Sequence, residues 1–465
     1  MRSTLHRTSI ALLAAATSFV APAQGQSAAG FSSPWWEELQ DDGLTALLTE
    51  AARANGDLQA AVDRLIQAEA TAIRTRAALM PTLSLDGQAT TGPLDGLGFQ
   101  FGGIPRGDGG MVDLPSLYYT GSANVRARYR VSSWGPEYRS YRASRLESMA
   151  TRGDEDGVAL NLVGQVATAY YDAVSAARQL AVITRQVEVG EQLAQVSQLR
   201  YERGDATALE VLQQRQQLAT TRASLPQARS EMRLARAGLE ALLGGDALAP
   251  ARIIPETLPE LPTSAPASSD GVRVSARPDL RSAEDRLEAA GARVSEAKWG
   301  FLPDIDLSAN SGSQFFRSVG TTTQSTWGAS LTLSMPLLDG SDRTSRIREA
   351  SASERAARSS YEQLQRSAAA EVATARIQEE EQRAQLSALE DQLAASQRAF
   401  DESRRRYLAG LATVLDVLNA MNGMQQAELG VIRTHRTVLA SWIQYRQAAG
   451  GPWTTGLRQR LLEAS

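Results

Sequence analysis

Residues 57–85 read DLQAAVDRLIQAEATAIRTRAALMPTLSL, and residues 279–307 read DLRSAEDRLEAAGARVSEAKWGFLPDIDL. Laid side by side without a gap, Asp57, Leu58, Ala61, Asp63, Arg64, Leu65, Pro81 and Leu85 meet Asp279, Leu280, Ala283, Asp285, Arg286, Leu287, Pro303 and Leu307. A second match lies downstream: RYERGDATALEVL at 200–212 pairs with RYLAGLATVLDVL at 406–418. The two offsets are 222 and 206, so the first copy carries 16 more residues between these points. Two matches in the same order mark an internal duplication of about 200 residues.

Each copy reads as one plan. A helix over 44–79 or 279–300 stops at Pro81 or Pro303, because proline lacks the backbone donor and pushes its predecessor out of the helical region. Two strand-like stretches follow. A very long helix comes next (137–203 and 341–408), then a tight turn, then a return helix (207–243 and 413–449). The expected division is residues 24–249 for the first repeat and 279–465 for the second with its tail. A linker rich in Pro and Ser, 250–278, joins them.

The strands alternate. Ala123, Val125, Ala127, Tyr129 and Val131 interleave with Asn124, Arg126, Arg128 and Arg130. Trp327, Ala329, Leu331, Leu333 and Met335 interleave with Gly328, Ser330, Thr332 and Ser334. Period-two alternation over about ten residues describes a strand with one apolar and one wet face. A half-buried soluble sheet accounts for any one of these strands. Export, small and aromatic apolar faces, and Arg and Asp opposite them favour a barrel wall with a water-filled interior. Four strands cannot close such a barrel, since about eight is the minimum. Residues 92–117 read as a long loop in the first pair and 318–324 as a short one in the second.

The stretch 137–203 spans about 100 Å as one helix, at ~1.5 Å per residue. It carries two apolar seams at 3–4 spacing. One runs Leu160, Val163, Ala167, Tyr170, Val174, Ala177, Ala181; the other runs Ala169, Ala173, Ala176, Leu180, Ile183, Val187, Gly190, Ala194. Two seams predict a helix clasped from both sides. The second copy repeats the spacing at Leu386, Leu389, Leu393, Ser396, Phe400, Ser403 and Tyr407.

Composition narrows the function. Arg2 and Arg7 precede the apolar stretch Ser9 to Ala21, and Ala21-Pro22-Ala23 forms a small-residue cleavage site, with Gly25 as an alternative end. Residues 1–23 therefore read as an export signal. No other window approaches the ~18 consecutive apolar residues of a membrane helix, so any membrane span must be β. The chain has no cysteine and two histidines, His6 and His435, of which His6 lies in the signal. That leaves no thiolate chemistry, and any His-dependent site would rest on His435 alone, which reads as a solvated or interhelical residue. No enzyme and no cofactor are expected. The net charge of −4 becomes about −6 without Arg2 and Arg7, and arginines interleave with acids, which argues against nucleic acid as a partner.

The duplicated turns hold the candidate site. Gly204 and Gly410 stand where a left-handed helix end is needed. Thr207-x-x-Glu210 reads as a full capping box and Thr413-x-x-Asp416 as one with a shorter acid.

The arrangement resembles the TolC-like outer-membrane efflux factors, above all the branch that serves drug-efflux pumps. The likeness rests on Arg277-Pro278-Asp279-Leu280 with Ala283, Glu284 and Phe301-Leu302-Pro303. It rests also on Arg406-Tyr407-x-x-Gly410 with Leu415-Asp416-Val417-Leu418, on Gly450-Gly451-x-Trp453, on Trp35-Trp36 and on Asp57-Leu58. It spans nearly the whole mature chain. The resemblance implies a mixed α and β membrane protein, a homotrimer whose chains each give four strands to a 12-stranded outer-membrane β-barrel. That barrel would continue into a periplasmic α-helical barrel, in contact with outer-membrane lipid, a periplasmic adaptor protein and an inner-membrane transporter. It implies an acidic aperture at Asp416, with Asn419 in the second acidic position and Tyr407 and Glu210 beside it. Three copies of Asp416 would form a ring that favours cations. The same turns would receive the adaptor at Gly204, Ala409, Gly410 and Leu411. Two departures stand out: the chain lacks the lipid-anchored cysteine of many relatives, and Pro452 interrupts the glycine run of the ending. Asp416 thus has two roles open to it, gate or cap, with Glu210 leaning to cap. The competing reading of the whole is a periplasmic coiled-coil scaffold with no pore.

Overall fold

The computed structural model describes residues 34–93, 104–105, 111–112, 117–131, 135–244, 257–261, 274–317, 321–451 and 454–463. The expected signal, and Pro452 and Trp453 of the ending, lie outside the described residues, as does most of the expected 92–117 loop.

The chain begins with a 3-10 turn at Trp35–Leu39 and two helices, α1 (Asp42–Ala54) and α2 (Gly56–Ala77). The single helix expected over 44–79 is therefore two. Asn55 breaks it: its backbone is extended, and its side chain accepts from the Leu58 amide at 3.0 Å, which caps α2. Strands β1 (Thr82–Pro93) and β4 (Leu117–Arg130) follow, with the short pair β2 (Ile104–Pro105) and β3 (Met111–Val112) between them. Then come α3 (Pro136–Glu202) and α4 (Ala208–Leu242). The second copy repeats the order as α5 (Pro278–Trp299), β5 (Asp304–Arg317), β6 (Thr321–Ser334), α6 (Asp342–Leu408) and α7 (Val414–Ala449), before a closing α8 (Leu457–Glu463). β6 starts at Thr321, so the connection expected over 318–324 shortens to 318–320. The two long helices have 67 residues each.

The main sheet is antiparallel throughout, in the order β1-β4-β5-β6. Register places Leu83, Ala127, Ala309 and Ala329 in one cross-sheet row, and Tyr129, Leu307 and Leu331 in a neighbouring row of the same face. The opposite face carries Ser84, Arg126, Asn310 and Gly328 in one row, with the Arg126–Asp86 and Arg130–Asp306 ion pairs at 3.8 and 3.4 Å. The apolar face is uncovered in a single chain: Trp327 is 85% exposed, Leu331 69% and Leu333 67%.

The helices stand in the same lateral order as the strands they adjoin. α3 packs on α2 and α4 to one side and on α5 and α7 to the other, and α6 packs on α5 and α7. The sequence of the wall is therefore α2/α4, α3, α5/α7, α6, with α2/α4 and α6 at its free edges. This explains the seams. On α3, Leu160, Val163, Ala167, Tyr170 and Val174 are buried, and so are Ala173, Ala176, Ile183, Val187 and Gly190. On α6, an edge helix, Leu386, Phe400 and Tyr407 are buried while Leu389 and Leu393 are half-buried.

The main core wraps the middle of this wall. Trp35, Leu44 and Leu48 from the start of the chain, Tyr171 of α3, Leu239 of α4, Trp442 of α7 and Leu457 of α8 share one cluster. Trp35 and Trp442 meet edge to face at 5.6 Å. Asp156 of α3 accepts from the Gly456 and Leu457 amides at 2.8 and 3.3 Å, which pins the start of α8 to α3. Trp442 is fully buried. Trp442→Ala is expected to cost about 3–5 kcal/mol, seen as a lower denaturation midpoint in detergent.

Candidate functional site

The two turns at the far ends of the long helices are built alike. The Gly204 amide donates to the Tyr201 carbonyl at 2.9 Å and Asp205 to that of Arg200 at 2.8 Å; Gly410 and Leu411 repeat this on Tyr407 and Arg406 at 3.0 and 2.8 Å. This is the Schellman ending, and it needs a left-handed residue. Gly204 has φ +82° and Gly410 φ +75°. The turns then hand over to Thr207 and Thr413, whose hydroxyls accept from the Glu210 and Asp416 amides, both at 3.3 Å.

The capping boxes differ from expectation. The full reciprocal box forms at Thr413/Asp416, not at Thr207/Glu210. The Asp416 carboxylate accepts from the Thr413 amide at 2.9 Å and from its hydroxyl at 2.7 Å. Glu210 takes only the Thr207 hydroxyl, at 3.4 Å, as a side-chain partner among the described residues. The shorter acid meets both the amide and the hydroxyl of its threonine; the longer one meets the hydroxyl. These two bonds, the hydroxyl first, hold the Asp416 carboxyl below the ordinary aspartate range although it is fully exposed.

The tips separate the remaining candidates. Asn419 is exposed three residues beyond Asp416 on α7, on the same side of the helix. Tyr407 is 3% exposed and belongs to a cluster with Leu193, Phe400, Val414, Val417 and Met421. Ala409, Gly410 and Leu411 are exposed, and Leu408, Leu411 and Leu415 make the second tip apolar. The first turn shows Arg203, Gly204 and Asp205, so the turn is charged where Ala409 and Leu411 make the second apolar, while Leu209, the counterpart of Leu415, is exposed as well.

One residue of the tips was missed by sequence reasoning. Arg200 of α3 reaches across to the second hairpin: its guanidinium carbon stands 4.5 Å from the Tyr407 ring centre, and Nη1 donates to the Tyr407 carbonyl at 2.8 Å. The signal was present in the duplicated Arg-Tyr pair of RYERG and RYLAG. His435 lies between α7 and the linker, half-buried against the Pro259 backbone, and burial lowers its pKa. No group of three or more His, Cys, Asp or Glu among the described residues is placed to hold a metal ion.

Residues 47–245 and 274–451 match the outer membrane efflux protein family. The pyoverdine export outer membrane protein OpmQ of Pseudomonas aeruginosa is 30% identical over 93% of this chain and 90% of its own. The cation efflux system protein CusC of Escherichia coli O157:H7 is 23% identical over 90% of this chain and 88% of its own. The solved outer-membrane channel OprN superposes with a TM-score of 0.76 at 25% identity, over 92% of this chain and 94% of that one. With its two repeats, its four-stranded sheet and its paired helical hairpins, this chain belongs to the outer membrane efflux protein family.

Proposed function

We propose that three copies of this chain close into a passive duct that carries substrate outward from a periplasmic adaptor and an inner-membrane pump. As a family member the protein is an outer-membrane efflux component extending into the periplasm. The observation that carries the finer reading is the pair of matched free edges. β1 and α2/α4 form one edge, β6 and α6 the other, in the same lateral order. A sheet edge cannot stay open in lipid, and four strands cannot close alone. Head-to-tail joining of β6 to the next copy's β1 also brings α6 to the next α2/α4, so sheet and helical wall close in one operation. Three copies give twelve strands and follow the family resemblance.

The apolar face supports lipid as its partner. From Trp327 to Leu333 it runs about 20 Å along β6 at ~3.3 Å per residue, with Met335 just past the strand end, within the ~25 Å apolar band of an outer-membrane barrel. The charged face then lines water. Relatives named for pyoverdine export and for cation efflux share the architecture, which supports a duct that leaves the choice of cargo to its pump. Fractionation tests the reading. The duct predicts detergent-extracted trimers that dissociate on heating; a soluble periplasmic monomer returns the scaffold reading.

Within this proposal the tips receive the adaptor at Gly204, Ala409, Gly410 and Leu411, and Asp416, Asn419, Tyr407 and Glu210 surround the aperture. A Cβ at Gly410 meets open space, so only its left-handed backbone resists a side chain, by roughly 1–2 kcal/mol. Gly410→Leu is expected to abolish efflux in a drug-accumulation assay while trimers persist. Gly410→Asn, which tolerates the left-handed region, should retain much of it. Loss of trimers in Gly410→Leu makes the glycine purely structural.

A further inference from the structure

The two hairpin tips of one chain are locked by the Arg200–Tyr407 contact, and the duplication contains the halves of a second such lock. Advancing each member by one repeat turns Arg200 into Arg406 and Tyr407 into Tyr201 of the following chain. We propose that Arg406 of one copy stacks on Tyr201 of the partner subunit. Three contacts within chains and three between chains would then form a ring of six arginine–tyrosine clasps around the helical tips. The proposal rests on the trimeric reading above.

Four observations support it. The two turns share both Schellman bonds, so both arginines and both tyrosines leave their helices from closely similar local frames. The lateral order is equivalent too. Arg200 on α3 reaches past the α7 position to α6, and Arg406 belongs to α6, the edge helix beside which α4 and then α3 of the next copy would follow. The unused members are both accessible. Tyr201 is 46% exposed where Tyr407 is 3% exposed, and the Arg406 side chain is 63% exposed. Finally, Arg406 makes a surface pair to Glu402 at 2.8 Å, and that carboxylate also binds Arg405 at 2.8 Å. An exposed i,i+4 pair of this kind is weak, and Glu402 keeps a partner if Arg406 leaves. An arginine over a tyrosine face gains most when both are desolvated, as at a subunit boundary.

The chain has no cysteine, so a clean cross-linking test is available. Arg406→Cys combined with Tyr201→Cys, treated in membranes with a short homobifunctional maleimide, should give covalent two- and three-chain bands on denaturing gels. Arg200→Cys with Tyr407→Cys should give only a shifted single-chain band. Arg405→Cys with Tyr201→Cys is the out-of-phase control, because one residue rotates the site by about 100° around α6, and its ladder should be several-fold weaker. Trimers by native electrophoresis without a 406/201 ladder overturn the clasp and leave the duct standing. A ladder equally strong in the control also overturns it. Protein that is monomeric before cross-linking overturns the trimeric reading itself. As a second readout, Tyr201→Leu should raise single-channel leak several-fold while Tyr201→Phe, which keeps the ring face, stays at the parental level; equal leak from both counts against the stack.

Discussion

Leu331→Arg is expected to keep the protein out of the outer membrane. Leu331 lies in a row with Leu307 and Tyr129 on the apolar face, flanked along β6 by Ala329 and Leu333. An arginine on the lipid face near the bilayer midplane costs about 2–4 kcal/mol. The cost recurs in every copy, so a trimer bears it three times. The neighbouring Thr332 points to the opposite face, beside Asp306. Thr332→Arg should therefore assemble normally, with water and an acid within reach. Heat-modifiable trimers in the outer-membrane fraction report both variants. Assembly of Leu331→Arg together with failure of Thr332→Arg would mean that the two faces have been assigned the wrong way round.

This contrast depends on an alternation that the amino-acid sequence displays by itself, because side chains in a strand have a period of two and the pattern runs for many residues. The duplication, the long helices and the strand-entry prolines were legible for the same reason: each is a local rule repeated many times. The break at Asn55 was not. Apolar spacing continues across it, and only the extended backbone and the bond to the Leu58 amide reveal the end of α1. The tips were half legible. Gly204 and Gly410 announce left-handed turns by themselves. Which acid closes its box depends on side-chain reach, and there the shorter Asp416 closed where Glu210 did not. Arg200 is marked by the duplicated Arg-Tyr pair, but its contact was illegible: its partner is 207 residues away, and no local pattern records a contact between hairpins.

Asp416→Ala is expected to leak, and the capping box decides how that result is read. In the proposed trimer, three Asp416 carboxylates around an aperture would favour cations and repel anions. The same carboxylate holds the start of α7 through the Thr413 amide and hydroxyl. Alanine removes charge and cap together, so a several-fold rise in closed-state conductance in planar bilayers fits either cause. Asp416→Asn separates them, because an amide oxygen still accepts from the Thr413 backbone while the charge is gone. If charge seals the aperture, both variants leak and both lose cation preference. If the cap seals it, Asn stays closed and only Ala leaks. Acid gives an independent check. The carboxyl is held below its ordinary value, so what its ionised form contributes is complete above about pH 4 and disappears only as pH falls through the lowered value. Conductance should therefore be flat from roughly pH 5 to 8 and rise only in stronger acid. Thr413→Val, which removes the hydroxyl bond, should move that rise to higher pH. Opening near pH 6 that persists in Asp416→Asn would point to a different group and remove Asp416 from the gate.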